Sequence, residues 1–218
     1  MGIRRGPSII TDGLVFAVDA ANPDSYISGS TIWKDQTVNQ NNGTLTNGPT
    51  FDSANAGILE FDGVNDYFDL SDITAAGVFT LSFWINPTEF NTNNGSFVMG
   101  TKANSGDLIK LTSATEIVFK PGNSASTLTE STNIMVLNQW QNLMFIRDSS
   151  DSVTAYRNGS TFGSPVTKTQ TLTITAIGLI ANFFRYKGKI ANVKMYDKNL
   201  STTEVSQNYN ALKTRFGL

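Results

Sequence analysis

The chain has 218 residues, a formal net charge of −2, 16% charged residues and a pI of about 5.1, and it contains neither cysteine nor histidine. The near-neutral balance argues against the basic face that nucleic-acid binding uses. The two missing residue types exclude disulfides, zinc–thiolate centres, thiol nucleophiles, imidazole ligands and a Ser-His-Asp triad.

The opening Met1-Gly2-Ile3-Arg4-Arg5-Gly6-Pro7 has no apolar run behind its arginines and carries Gly6 where a myristoylation signal needs Ser or Thr. No signal peptide is expected. No stretch approaches the length of a membrane-spanning segment, so no membrane insertion is expected either. Residues 1–11 read as an extended, basic arm without periodicity. Arg4 and Arg5 would either anchor it on an acidic neighbouring protein or remain solvated.

From residue 12 onward the pattern is that of many short strands. Leu14 to Val18 is a continuous apolar run, as in a strand buried on both faces. Ile58-Leu59-Glu60-Phe61-Asp62 alternates, turns at Gly63, and resumes over Asp66 to Leu70. Phe79, Leu81, Phe83 and Ile85 share one face of a long strand, with Thr80, Ser82 and Trp84 on the other and Pro87 at its end. Shorter strands are expected at 97–99, 108–111 and 117–119. Trp140 to Arg147 and Val153 to Arg157 flank a polar turn, and Asn158-Gly159 predicts a type I′ hairpin because both residues tolerate positive φ. Leu172 to Ile180 and Ile190 to Tyr196 complete the strands. Ser201-Thr202-Thr203-Glu204 predicts a capping box, and Val205, Tyr209 and Leu212 continue it as one helix whose apolar stripe plugs an end of the fold. The expectation is a single all-β domain over 12–218, a two-sheet antiparallel sandwich with one short C-terminal helix.

Several stretches in this order resemble one family. They are Gly13 to Tyr26, Trp33-Lys34-Asp35, Asn42-Gly43-Thr44-Leu45-Thr46-Asn47-Gly48-Pro49, Phe61 to Tyr67, Phe83-Trp84-Ile85 and Asn138-Gln139-Trp140. Tyr156-Arg157-Asn158-Gly159, Gly188 to Val193 and Leu200 to Ala211 continue the series. Together they are similar to concanavalin A-like, laminin-G-like lectin domains, over roughly residues 12–213. The resemblance implies a jelly-roll sandwich. The chain departs from the family after Asp35, where Gln36-Thr37-Val38-Asn39-Gln40 replaces a Ser-Gly-Asn-Gly loop. Arg4 to Pro7 ahead of Thr11 to Leu14 is similar to tailed-phage virion proteins. This implies capsid or tail proteins as partners and a place on the virion surface after synthesis in the host cytoplasm.

Three kinds of site follow. Glu60 and Asp62 share a strand face, as the paired carboxyls of a retaining glycosidase would, but Val64-Asn65 stands where the family's glucanases place a further Glu. The opposing reading makes Glu60 a solvated residue and Asp62 a cap for the turn at Gly63. The resemblance implies a structural calcium near Asp19, Asn22, Asp35, Asn65 and Asp66, the opposing reading being Asx-turns. No cofactor is required for folding.

Sugar or protein contact is expected at Asn182, Phe183, Phe184, Arg185 and Tyr186. A second candidate loop holds Phe90, Asn91, Asn93 and Asn94, and Trp33 with Tyr26 forms a third. Trp33, Trp84 and Trp140 read as core packing. Three functions compete: a non-enzymatic virion surface protein, a carbohydrate-binding adhesion module for host or environmental glycans, and a glycoside hydrolase. Exposed sheet edges also leave room for a homo-oligomer.

Overall fold

The computed structural model describes residues 7–90, 96–129 and 134–218. Among these residues the chain forms two eight-stranded antiparallel sheets and a small hairpin. Sheet I runs in the order Ser160–Thr167, Ser152–Arg157, Gln141–Arg147, Phe79–Pro87, Lys187–Tyr196, Ile58–Asp62 and Thr50–Asp52. Leu14–Asp19 pairs with the second half of Lys187–Tyr196. Sheet II runs Ser126–Thr129, Glu116–Lys120, Leu108–Ser113, Ser96–Gly100, Leu172–Ile177, Tyr67–Ala75, Gly43–Thr46 and Ile32–Trp33.

Strand alternation builds the core between the sheets. Leu59, Phe61, Leu81, Phe83 and Phe145 point inward from sheet I and meet Phe68, Leu111, Ile117 and Phe119 of sheet II. Phe119 stacks on Phe145 at 5.1 Å between centroids, so one ring contact spans the two layers. The Asn158-Gly159 turn forms as expected, with φ of 50° and 80°. The expected strand over 172–180 breaks at Gly178, whose φ is 88° and whose missing side chain leaves room for the Phe61 ring.

The capping box forms: the Glu204 amide donates to Ser201 Oγ and the Ser201 amide donates to Glu204 Oε2. Helix α1, Thr202–Leu212, does not plug an end of the sandwich. It lies across the outer face of sheet I, where Val205 packs with Met144, Ile146, Tyr156 and Tyr196. The short 3-10 segment Lys213–Phe216 continues this cover, placing Phe216 on Trp84 at 4.2 Å. Phe79–Pro87 is therefore apolar inside and also covered outside.

The arm expected over 1–11 is docked in its described part. Gln207 Nε2 donates to the Ser8 carbonyl, the Ile10 amide donates to Asn208 Oδ1, and Tyr196 Oη donates to the Ile10 carbonyl. Residues 8–10 thus belong to the folded body. Arg4 and Arg5 lie outside the described residues.

Candidate functional site

The predicted site residues fall into separate places. Ala181 and Asn182 both have positive φ, and the Phe183 amide donates to the Ile180 carbonyl, so residues 180–183 make a tight hairpin turn. Asn182 is exposed and Phe183 is 83% exposed at its tip. Phe184 folds back onto sheet II and stacks on Phe97 at 4.3 Å. Arg185 donates from Nε to the Val64 carbonyl and from Nη2 to the Asn182 carbonyl.

Tyr186 corrects the sequence reading. It is fully buried against Phe61, and its hydroxyl donates to the Lys189 carbonyl, so it offers no ring to a ligand. Burial pushes its phenol well above the ordinary value, although a backbone contact at Asn86 opposes this. The loop composition misled because the strand beginning at Lys187 draws its predecessor inward. Phe90 is half-buried against the main core, and Asn91, Asn93 and Asn94 lie outside the described residues. Trp33 and Trp84 are buried, and Trp140 packs on Phe216, as core residues.

The calcium candidates do not form one ligand set. Asp35 is buried and takes the amides of Ala17, Thr37 and Asn41 and the Thr37 hydroxyl, which fixes the departing loop to the first strand. Asp19 takes the Ala21 amide and pairs with Arg215, and Asn22 makes an Asx-turn to the Asp24 amide. Asn65 and Asp66 sit elsewhere, in the turn after Asp62. Among the described residues no three His, Cys, Asp or Glu side chains form a group able to hold a metal ion. With donors already on Asp19, Asn22 and Asp35, the residues present do not fit the calcium that the resemblance implies.

A different arrangement emerges at one end of the sandwich. Asn47 Nδ2 donates to the Asn65 carbonyl at 2.8 Å, and Arg185 Nε reaches the Val64 carbonyl at 3.1 Å. The turns around residues 47–50, 62–66 and 180–185 are thereby tied together. Asp62 Oδ1 caps the middle turn through the Val64 and Asn65 amides. Desolvation opposes ionisation of Asp62, but these amides and further backbone contacts outweigh it and hold the carboxyl below its ordinary value. Asp66 accepts the Asp62 amide on Oδ2.

Two open clefts meet there, sharing Gly48 and Thr50. One, of about 380 Å³, is lined in part by Tyr26, Leu45, Pro49 and Phe51, with the Tyr26 and Phe51 rings 5.4 Å apart. The other, of about 250 Å³, is lined by Asn47, Gly48, Thr50, Glu60, Asp62 and Asp66. The sequence reading singled out Tyr26, Glu60, Asp62 and Asp66 for separate reasons and missed Asn47, Thr50 and Phe51. The available signal was the turn at Asn47-Gly48-Pro49, which lies within the family-like stretch.

The sequence profile of the concanavalin A-like lectin/glucanases superfamily matches residues 62–206. The chain belongs to this superfamily. No curated protein matches this superfamily member significantly in sequence. Among solved structures it is similar to domain 4 of AbnA, an extracellular arabinanase from Geobacillus stearothermophilus in complex with arabinotriose. That match has a TM-score of 0.68 and 19% identity, covering 90% of this chain and 98% of that one. It is also similar to the binding domain of Paraclostridial Mosquitocidal Protein 1, with a TM-score of 0.64, 16% identity and coverage of 91% of this chain and 52% of that one. Trypanosoma rangeli sialidase matches with a TM-score of 0.67 and 16% identity over 95% of this chain and 34% of its own. The superfamily member thus spans about half of the toxin domain and a third of the sialidase, and at these identities the likeness is one of fold. Among the described residues no helix is long and apolar enough to cross a membrane.

Proposed function

We propose that the chain is a non-catalytic, lectin-like module that holds a glycan in the loop-end clefts and is displayed on a tailed-phage particle. One observation carries the glycan reading: Gly48 and Thr50 join a cleft containing the Tyr26 and Phe51 rings to a cleft containing Asn47, Glu60 and Asp62. A sugar presents apolar C–H faces and a polar hydroxyl edge, and such a divided surface meets both. Domain 4 of the arabinanase, described in complex with arabinotriose, supports this reading, and the binding domain of the mosquitocidal protein supports a binding role for the fold.

Binding rather than bond cleavage is supported by the state of the carboxyls. Glu60 is partly exposed and lies 4.0 Å from Lys189. Asp62 caps a turn whose amides favour its ionised form. A retaining glycosidase needs one carboxyl free to act as acid and another free to act as nucleophile, whereas Asp62 is committed to the Val64 and Asn65 amides of its own turn. The display on a virion rests on the similarity of Arg4 to Leu14 to tailed-phage proteins. It makes other capsid or tail proteins the partners of the arm.

A broad glycan library tests the binding reading, with and without calcium, using the native chain and Thr50→Trp. Thr50 is exposed where the clefts join, so the indole obstructs both. Binding that falls about tenfold or more in the variant is expected. A blank library refutes glycan capture. Stoichiometric copurification with particles is expected for the virion role, and absence from purified virions refutes it.

A further inference from the structure

We propose that Asn47-Gly48 is a site of spontaneous deamidation, and that the reaction cuts the tie between two of the turns around the polar cleft. The proposal is independent of any bound glycan. Asn-Gly pairs occur among the described residues at 42–43, 47–48 and 158–159, and Asn94-Gly95 lies outside them. An asparagine followed by glycine can cyclise, because no Cβ hinders approach of the next backbone nitrogen to the side-chain amide. The Gly48 nitrogen, its proton taken by hydroxide, bonds to Asn47 Cγ. The bond from Cγ to Nδ2 breaks, and the amide nitrogen leaves as ammonia with a proton from water. Water then opens the succinimide at either carbonyl, giving aspartate or isoaspartate. Water is consumed, ammonia departs, and nothing is oxidised or reduced.

The fold holds the three described pairs unequally. Asn47 is exposed, with φ of 65°, and the Gly48 amide has no hydrogen-bond acceptor among the described residues. Open space surrounds Gly48, so its nitrogen has room to move onto the side chain. Asn42 Oδ1 instead accepts the Asp35 amide, and Gly43 is a strand residue pressed against the Asp69 carbonyl and the Phe68 ring. Asn158 Oδ1 accepts the Asn142 amide, the Asn158 amide donates to the Asn142 carbonyl, and Gly159 lies against the Tyr209 ring. Cyclisation at these two pairs must first open packed, hydrogen-bonded structure. At Asn47 the bond at stake is the solvent-exposed donation from Nδ2 to the Asn65 carbonyl at 2.8 Å. That bond is also what the reaction destroys. A carboxylate has no donor for the Asn65 carbonyl. It would join Glu60, Asp62 and Asp66 in the lining of the cleft, where like charges repel.

Peptide mapping by mass spectrometry tests the inference on the native chain and on the chain held unfolded in urea. Both are incubated at mildly alkaline pH until the unfolded chain has reacted, and fragment spectra assign the residue converted. In the native chain Asn47 is expected to convert about fivefold or more faster than Asn42 and Asn158. In urea the three rates should converge. A native Asn47 that stays unchanged while the unfolded chain reacts overturns the proposal, and so does a native Asn42 or Asn158 that matches it. Asn47→Asp supplies the product directly. Amide exchange at Val64 and Asn65, the amides that Asp62 holds, should quicken about threefold or more in this variant. Unchanged exchange there overturns the claim that the reaction loosens the turn.

Discussion

Arg215 Nη1 lies 2.8 Å from Asp19 Oδ1 and 3.0 Å from Oδ2, an ion pair that fastens the C-terminal segment to the first strand of sheet I. The same guanidinium donates to the Asn55 and Gly57 carbonyls, and its side chain is 12% exposed. Replacement by Ala leaves a largely buried carboxylate and two carbonyls without these donors. We expect Arg215→Ala to cost about 3 kcal/mol of stability, read as a lower urea midpoint with an unchanged slope.

Phe216 lies between Trp84, at 4.2 Å, and Trp140, at 4.6 Å. Phe216→Ala should therefore cost about 3 kcal/mol and also change tryptophan emission, because two of the three indoles lose a ring neighbour. An unchanged emission spectrum would show that the segment does not cover this face in solution.

Lys194 supplies a pH test. It is 5% exposed beneath the C-terminal cover, and Nζ donates to Asn192 Oδ1. Burial lowers its amine to about 8, with Asp19 opposing the shift and Arg215 adding to it. The unfolded chain, with the amine near its ordinary 10.5, binds more protons between these values, so stability should rise as pH increases through about 8. The penalty is fully present below that point and amounts to about 3 kcal/mol. Urea unfolding at about pH 7 and about pH 9.5 should show this rise, and Lys194→Met should abolish it while raising stability at pH 7. A native chain equally stable at both pH values would contradict the burial of a charged amine here.

Phe183 and Tyr186 should separate surface from core. Phe183→Ala, at an 83% exposed hairpin tip, should change stability by less than about 0.5 kcal/mol. Tyr186→Ala opens a cavity against Phe61 and leaves the Lys189 carbonyl without its donor, so it should cost about 4 kcal/mol. Thermal unfolding of the two variants distinguishes these positions directly.

The sandwich was legible because local rules decide it. Alternation at Ile58 to Asp62 and at Phe79 to Ile85, the Asn158-Gly159 turn and the Ser201–Glu204 capping box each depend on neighbours in the chain. What escaped the sequence depends on distant partners. Arg147 is fully buried, its guanidinium donating to the carbonyls of Ala75, Gly77, Lys168 and Gln170 and lying 5.0 Å from the Phe79 ring centre. In the sequence an arginine at a strand end reads as a solvated residue. The outward face of Phe79–Pro87 is polar in pattern except for Trp84, so its cover by α1 and Phe216 could not be read there either. The clefts are assembled from segments near residues 26–31, 45–51 and 60–66, whose proximity follows only from the pairing of strands. The roles of Asp19, Asn22 and Asp35 were hidden in the same way: Asp19 pairs with the distant Arg215, Asn22 caps its own turn, and Asp35 holds the Ala17, Thr37 and Asn41 amides.

The most direct measurement is a titration of the isotope-labelled chain with a glycan, followed by amide chemical shifts. The shifts should concentrate at residues 45–51 and 60–66, with the helix and the far hairpin at Asn158-Gly159 unmoved. Shifts confined to surfaces away from the clefts, or no shifts with any glycan, would contradict the account.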